Sequence, residues 1–272
     1  MRVLFFGDIF GRPGRRAVAS VLPDLKKRYA PDFIFGNAEN LAGGRGVNRK
    51  TFHEMLDMGF QAMTTGNHVW DNREVFSILE ADRRLLRPAN LADPADSPCP
   101  GAGHALYESK GKQILLVNLI GRVFMDQSED PFAAADWILE SAPAGVPIFV
   151  DMHAEATSEK YAMGWYLNGK VAAMVGTHSH VQTADERLLT EGTAYITDVG
   201  MSGAFDSVIG MEPAPVIQRF RTKRPQGFHP ALQNPGVGYV VVDIDSNGKA
   251  LSIERVRHTV ADDLLADERD TE

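Results

Sequence analysis

The stretch Val171-Ala-Ala-Met-Val-Gly-Thr-His-Ser-His-Val-Gln-Thr-Ala-Asp-Glu186 runs apolar for five residues, passes Gly176-Thr177 and ends in His178 and His180. A short apolar run bounded by turn residues reads as a buried strand. Two of the chain's 8 histidines thus lie just past one strand end. Working outward, the same event recurs. Asp8 follows RVLFFG, Glu39-Asn40 follows DFIFGNA, Asn67-His68 follows QAMTTG, and His153 follows PIFVDM. In α/β sheets the carboxyl ends of parallel strands form one rim, and ligands bind there. Residues spread over the first 180 positions are therefore expected to meet in one cleft.

The intervening segments support this. RPGRRAVASVLPDLKKRY has near-3.6 apolar spacing, with Pro13 in the first turn. NRKTFHEMLDMG predicts a helix stopped by Gly59, and DNREVFSILEA a helix capped by Asp71 or Asn72. This βαβαβα order predicts a mostly parallel sheet with helices packed on it. Further on, HALYESKGKQILLVNLIG predicts two strands about Lys110-Gly111. DPFAAADWILES and SEKYAMGWYL predict helices, and ERLLTEGTAYITD and YVVVDIDSNGKALSIERV antiparallel hairpins. The expected fold is a single α/β domain over 1–272, with two mixed sheets and helices outside. The C-terminal hairpin around Asn247-Gly248 is expected in the second sheet, and the acidic tail ADDLLADERDTE is expected to be frayed.

Composition narrows the function. With 44% hydrophobic and 24% charged residues, the chain has a soluble globular profile. No apolar run approaches the ~20 residues of a membrane helix, and MRVLFFGD is too short for a signal peptide, so the expected compartment is the cytoplasm. The lone Cys99, in a proline-rich turn, forms no disulfide framework and is expected to be incidental. A net charge of −8 disfavours a broad grip on nucleic acid but not a small phosphate ester. The sequence does not fix the oligomeric state, and a homo-oligomer is left open.

The candidate ligands are Asp8, Glu39, Asn40, Asn67, His68, His153, His178 and His180. This oxygen and nitrogen set without thiolate suits Mn, Fe, Zn or similar divalent ions. Eight candidates exceed the roughly four to six ligands of one ion and suit two ions sharing a carboxylate. Such a pair clamps a phosphoryl group for in-line attack by a metal-bound hydroxide. Each group alone is weak evidence, since an Asp after a strand is more often a cap; the ordered set is strong.

Gly7-Asp8, Gly66-Asn67-His68, His153 and Gly176-Thr177-His178-Ser179-His180 resemble, in order, the blocks of the calcineurin-like metallophosphoesterases. Phe10 stands where most of that family has a histidine, and Glu39-Asn40 where most have an aspartate. That variant, with ITDVGMSG and GDIFGRPGR, resembles the YmdB-like branch, similar to 2′,3′-cyclic-nucleotide 2′-phosphodiesterases. The resemblance implies a four-layer α/β/β/α metallophosphoesterase sandwich and two divalent metal ions, Fe or Mn first, with Zn or Mg also compatible. It implies that Glu39 bridges the ions. Asp8, Asn40 and His180 complete one shell, Asn40 in place of the lost histidine; Asn67, His153 and His178 complete the other. His68 stays off the metals and protonates the leaving alkoxide. The implied substrate is a small phosphodiester, with 2′,3′-cyclic nucleotides foremost. A phosphomonoesterase or nuclease on the same site, or a non-catalytic metal-containing regulatory protein, is the competing reading.

Weaker signals surround this set. Arg45, in Gly43-Gly44-Arg45-Gly46, is a candidate substrate contact. Arg12, Arg15 and Arg16 read as a solvated helix face. Asp151 and Glu155 are candidate acceptors orienting His153. His53, His104, His229 and His258 are read as structural.

Overall fold

The computed structural model describes residues 1–94 and 96–261. Strand and helix alternate through the first third: β1 (Arg2–Ile9), α1 (Gly11–Tyr29), β2 (Phe33–Asn37), α2 (Arg49–Met58), β3 (Ala62–Thr64) and α3 (Glu74–Ala81). Then come β4 (His104–Ser109), β5 (Lys112–Ile120), α4 (Pro131–Ser141), β6 (Ile148–His153), α5 (Thr157–Tyr166) and β7 (Ala173–Thr177). The last part holds β8 (Arg187–Leu188), β9 (Ala194–Ile196), β10 (Met201–Ala204), α6 (Pro213–Thr222), β11 (Pro235–Ile244) and β12 (Ala250–Thr259).

Local chemistry explains the boundaries. Asn48 caps α2 by accepting from the Thr51 amide, and the Thr51 side chain returns the bond; Gly59 ends the helix at φ 100°. The cap position of α3 is Arg73, which makes no side-chain cap bond, so neither expected cap, Asp71 or Asn72, holds it; Asn72, just before it, accepts from the Glu74 amide at 2.9 Å. Asp130 caps α4 through the Phe132 amide. Lys110 and Gly111 both take positive φ, as the tight turn between β4 and β5 requires.

The strands form two six-stranded sheets, ordered β12-β11-β10-β1-β2-β3 and β4-β5-β6-β7-β9-β8. Within them β1, β2 and β3 run parallel, as do β5, β6, β7 and β9. Strand alternation then divides the core. Leu4 and Phe6 pack with Val18, Phe52 and Ile78 under α1–α3, whereas Val3 and Phe5 face the second sheet with Phe149 and Val175. Phe5 stacks on Phe149 across that middle layer, with centroids 5.4 Å apart. A third layer joins Val117, Val150 and Met174 to Ile138 of α4 and Met163 of α5. Each fully buried large side chain contributes about 1.5–3 kcal/mol. The architecture is thus the expected four-layer α/β/β/α sandwich.

One placement differs. The C-terminal hairpin joins the first sheet, not the second: β11 pairs antiparallel with β1 from Arg2↔Asp243 to Phe6↔Tyr239. The reason is apolar character on both faces. All but one residue of β11 is buried, so it needs cover on both sides and a neighbour on each edge. Half-polar β12 takes the edge, exposing Ser252, Glu254, Arg255 and Arg257 in varying degree. Unexpected elements are β10 and α6, the latter opening on Pro213 at its first turn. The tail expected to fray lies, from residue 262, outside the described residues. Among the described residues no helix is long and apolar enough to cross a membrane.

Candidate functional site

The ends of β1, β2 and β3 in one sheet, and of β6 and β7 in the other, bring their polar residues together. His153 is the hub. Fully buried, it has Nε2 3.0 Å from Asn67 Oδ1, 3.0 Å from His178 Nδ1 and 3.2 Å from Glu39 Oε1. On the other flank Asp8 Oδ1 lies 3.7 Å from His180 Nε2 and 4.0 Å from His153 Nδ1. Two groups of ligand atoms, each within 4.8 Å of one another, result: Glu39, His153 and His178, and Asp8, Glu39 and His180. Glu39 belongs to both.

Asn40 lines the same cleft. Its Nδ2 donates to Gly44 O at 3.0 Å, which aims Oδ1 away from that carbonyl. Asn40 Oδ1 and Asp8 Oδ1 are buried without a hydrogen-bond partner, and among the described residues no other side-chain oxygen is. Such atoms are costly unless a cation faces them. Backbone also crowds in: a Cβ at Gly66 would overlap the His153 ring and the Glu39 carboxylate, so only glycine lets the strand pass this close. An oxygen-and-nitrogen donor set, orphaned oxygens and a glycine cradle fit divalent metal ions.

The electrostatics agree. Burial pushes the Asp8 carboxyl up, and the charges of His180 and His153 only partly offset it. Burial opposes the Glu39 carboxylate as well, yet the charge and hydrogen bond of His153 draw its pKa down to about 2. Burial would lower His153, but Glu39, Asp8 and Asp151 raise it to about 9. Burial and the charge on His153 press His178 down to about 3. The buried carboxylates of Glu39, Asp8 and Asp151 raise His153, which shows that positive charge is favoured at this point of the cleft.

A further shell holds these ligands. Thr177 Oγ1 sits 2.9 Å from His153 Nδ1 and donates to Asp151 Oδ1 at 2.7 Å; Asp151 also accepts from Thr64 and Asn37. Asp151 therefore orients His153 through a hydroxyl rather than directly. Glu155 was expected on His153; instead its carboxylate lies 3.0 Å from His178 Nε2, which turns Nδ1 toward the cleft. The turn carrying His178 and His180 is strained, with φ at 101° and 63°. It is pinned by Asp8, which accepts from the His178 amide at 3.0 Å, and by Asp198, which accepts from the Ser179 amide at 3.0 Å. Asp198 is itself paired with buried Lys160 at 2.7 Å, and Lys160 donates to Thr177 O at 2.8 Å.

Phe10, where a ligand histidine was expected to be missing, packs edge-on against His180 with centroids 5.5 Å apart. The His68 side chain stands outside the two ligand groups, although its amide donates to Glu39 Oε2 at 3.1 Å. Its Nδ1 lies 2.8 Å from Asp71 Oδ2, and it lines the cleft with Arg45. Arg15 corrects the expectation of a solvated helix face: it is buried, binding Glu54 Oε2 at 2.8 Å and the Leu41 carbonyl. His53, exposed, contacts its own helix at Arg49 O, and His104 packs on Trp137. Sequence reasoning read Asp71 only as a candidate helix cap and left Asn37, Lys160 and Asp198 unassigned; Asp71 holds His68 instead. Asn37 and Asp198 also stand at strand ends, the one signal that could have found them; Lys160, on α5, had none.

A four-layer sandwich with two carboxylate-sharing ligand groups at its strand ends defines a metallophosphoesterase. The chain belongs to the YmdB-like family, whose model matches residues 4–256. It is 45% identical, over 94% of this chain and 96% of the relative, to the 2′,3′-cyclic-nucleotide 2′-phosphodiesterase of Bacillus subtilis (strain 168). A crystal structure of a hypothetical protein from Thermus thermophilus superposes with TM-score 0.89 at 40% identity, over 95% of this chain and 99% of that one. A novel phosphatase from Mycoplasma pneumoniae gives TM-score 0.89 at 32% identity, over 95% and 93%.

Proposed function

We propose that each ligand group holds one divalent metal ion and that the chain hydrolyses small phosphate diesters, 2′,3′-cyclic nucleotides foremost. The observation that carries this reading is the pair of ligand groups sharing Glu39, with the orphaned oxygens of Asp8 and Asn40 beside them. Asp8, Asn40 and His180 would serve one ion, Asn67, His153 and His178 the other, and Glu39 both. Fe or Mn suits this donor set best, and Zn or Mg is compatible. The ions, when bound, supply a water nucleophile at neutral pH and positive charge opposite the phosphate.

The chain's own groups do the rest. Water oxygen joins phosphorus, the P–O2′ bond breaks, and the departing oxygen must gain a proton. His68 is placed to give it: Asp71 holds Nδ1, which leaves Nε2 for the substrate side. Arg45, in the cavity wall, is offered to the phosphate. We further infer a cytoplasmic protein folded as one domain, with a small diester as its partner and no extended nucleic acid.

The name of the Bacillus subtilis relative supports the cyclic-nucleotide substrate. The test is metal analysis of the purified protein together with turnover of a 2′,3′-cyclic nucleotide, an aryl phosphodiester and an aryl phosphomonoester. Two ions per chain and a marked diester preference are expected, with both lost in Glu39→Gln. Preference for the monoester would favour a phosphatase. Metal-loaded protein inert toward all three would favour a regulatory role.

A further inference from the structure

Residues 205–231 roof the cleft, and the reaction proposed above leaves most of them without a task. The segment is tied at its neck: Ala231 N donates to Gly210 O at 2.8 Å and Glu212 N to His229 O at 2.9 Å. It is also registered against the ligand groups. The Ile209 carbonyl lies 2.8 Å from His180 Nδ1, and Gly210, at φ 103°, packs on the Phe10 ring. From this anchor α6 presents Arg219 and Phe220, its C-cap presents Lys223 and the returning chain presents Phe228, to the same cavity that holds Glu39, His68 and His178. The cavity measures about 720 Å³, within the roughly 300–1,000 Å³ of small-molecule sites.

The chemistry of the wall is specific. Phe220 is 70% exposed, a large apolar ring left uncovered in the cavity wall. Lys223 Nζ lies 5.9 Å from its ring centre, and the Arg219 guanidinium 5.4 Å from that of Phe228. Flat apolar faces flanked by cations suit a planar, electron-rich ring. A phosphate alone would need only the polar half of the cavity.

We propose that Phe220 and Phe228, with Arg219 and Lys223, form the nucleobase subsite of this enzyme, so that the 205–231 roof selects nucleotides over other phosphodiesters. The proposal rests on the diesterase reading above. The roof binds the base, the ligand groups hold the phosphate, and the Ile209–His180 contact sets the distance between them.

The experiment compares 2′,3′-cyclic AMP with 1-O-methylribose 2′,3′-cyclic phosphate, which has the same reacting ring and no base. The proteins are the metal-loaded wild type, Phe220→Ala, Phe228→Ala and Ile217→Ala. Ile217 is 51% exposed on the same helix but does not line the cavity. Wild type should show the lower KM for the nucleotide. Each phenylalanine variant should raise that KM about tenfold, as expected for one lost stacking partner, with kcat and the baseless substrate little changed. Ile217→Ala should match wild type. Equal losses on both substrates, or no wild-type preference, would overturn the subsite. Should wild type turn over neither diester, the diesterase reading fails. The subsite is then decided by calorimetric binding of 3′-AMP against ribose 3-phosphate to the same proteins: a preference for 3′-AMP lost in the phenylalanine variants supports it, and none refutes it.

Discussion

Lys160→Met tests whether a buried ion pair holds the turn that carries His178 and His180, the proposed metal ligands. Lys160 and Asp198 are each about 1% exposed, with Nζ and Oδ2 2.7 Å apart. Asp198 also accepts from the Ser179 and Gly200 amides, and Lys160 from its side donates to Thr177 O. Methionine keeps the length and apolar stem of lysine but leaves the Asp198 carboxylate buried with two amides and no countercharge. Breaking a buried pair from one side costs about 3–5 kcal/mol. In a chain of this size that lowers Tm by about 10 °C. The double variant Lys160→Met/Asp198→Asn removes both charges and should lose clearly less than the two single variants summed. Because Ser179 lies between His178 and His180, the strained turn should relax, and metal affinity should fall by about 10–100-fold. The assays are urea unfolding of metal-free protein and calorimetric metal titration of all three variants. A loss below about 1 kcal/mol in Lys160→Met would refute the energetic argument. Lost stability with unchanged metal affinity would refute the positioning argument alone.

His68→Ala should keep both metals and lose about 10²–10⁴-fold in kcat on a cyclic nucleotide, with a much smaller loss on a nitrophenyl diester whose leaving group needs no proton; equal losses would reject the acid role. Gly66→Ala should weaken metal binding by tenfold or more, read by titration, because its methyl group occupies the space of His153 and Glu39. Burial acts to raise the Asp185 pKa, but donors on Thr183 and Thr197 outweigh it and hold it below the usual carboxylate value. That stabilisation is present above about pH 4 and disappears as pH falls through the folded-state pKa. Urea midpoints at pH 7 and pH 3 should therefore differ more in wild type than in Asp185→Asn, and an equal difference in the two proteins would remove Asp185 from the pH dependence.

Much of this protein was legible in its sequence because the relevant signals are local. Apolar runs such as Val3–Phe6 and Ala172–Val175 mark strands, caps such as Asn48 and Gly59 mark helix ends, and the polar residue after each run marks the rim. Strand alternation alone assigns Phe5 and Phe6 to opposite faces. The eight candidate residues could be gathered from strand ends without coordinates, since parallel strands share one carboxyl end.

Tertiary structure decided what depends on partners distant in the chain. Asp8 accepts from an amide 170 residues away, and β11 finds β1 from the far end of the described chain. No local pattern encodes which of two sheets has an open edge, so the hairpin was expected in the wrong one. Arg15 reads as surface until Glu54 and Leu41 enclose it. Lys160 is an ordinary helix lysine until Asp198 meets it, and His180 has no fixed orientation until the Ile209 carbonyl takes its Nδ1. Hydrophobic periodicity specifies which face of an element is buried. Which polar groups share that burial is set by packing, because a charge or an amide is tolerated inside only where a partner from elsewhere in the chain arrives to satisfy it.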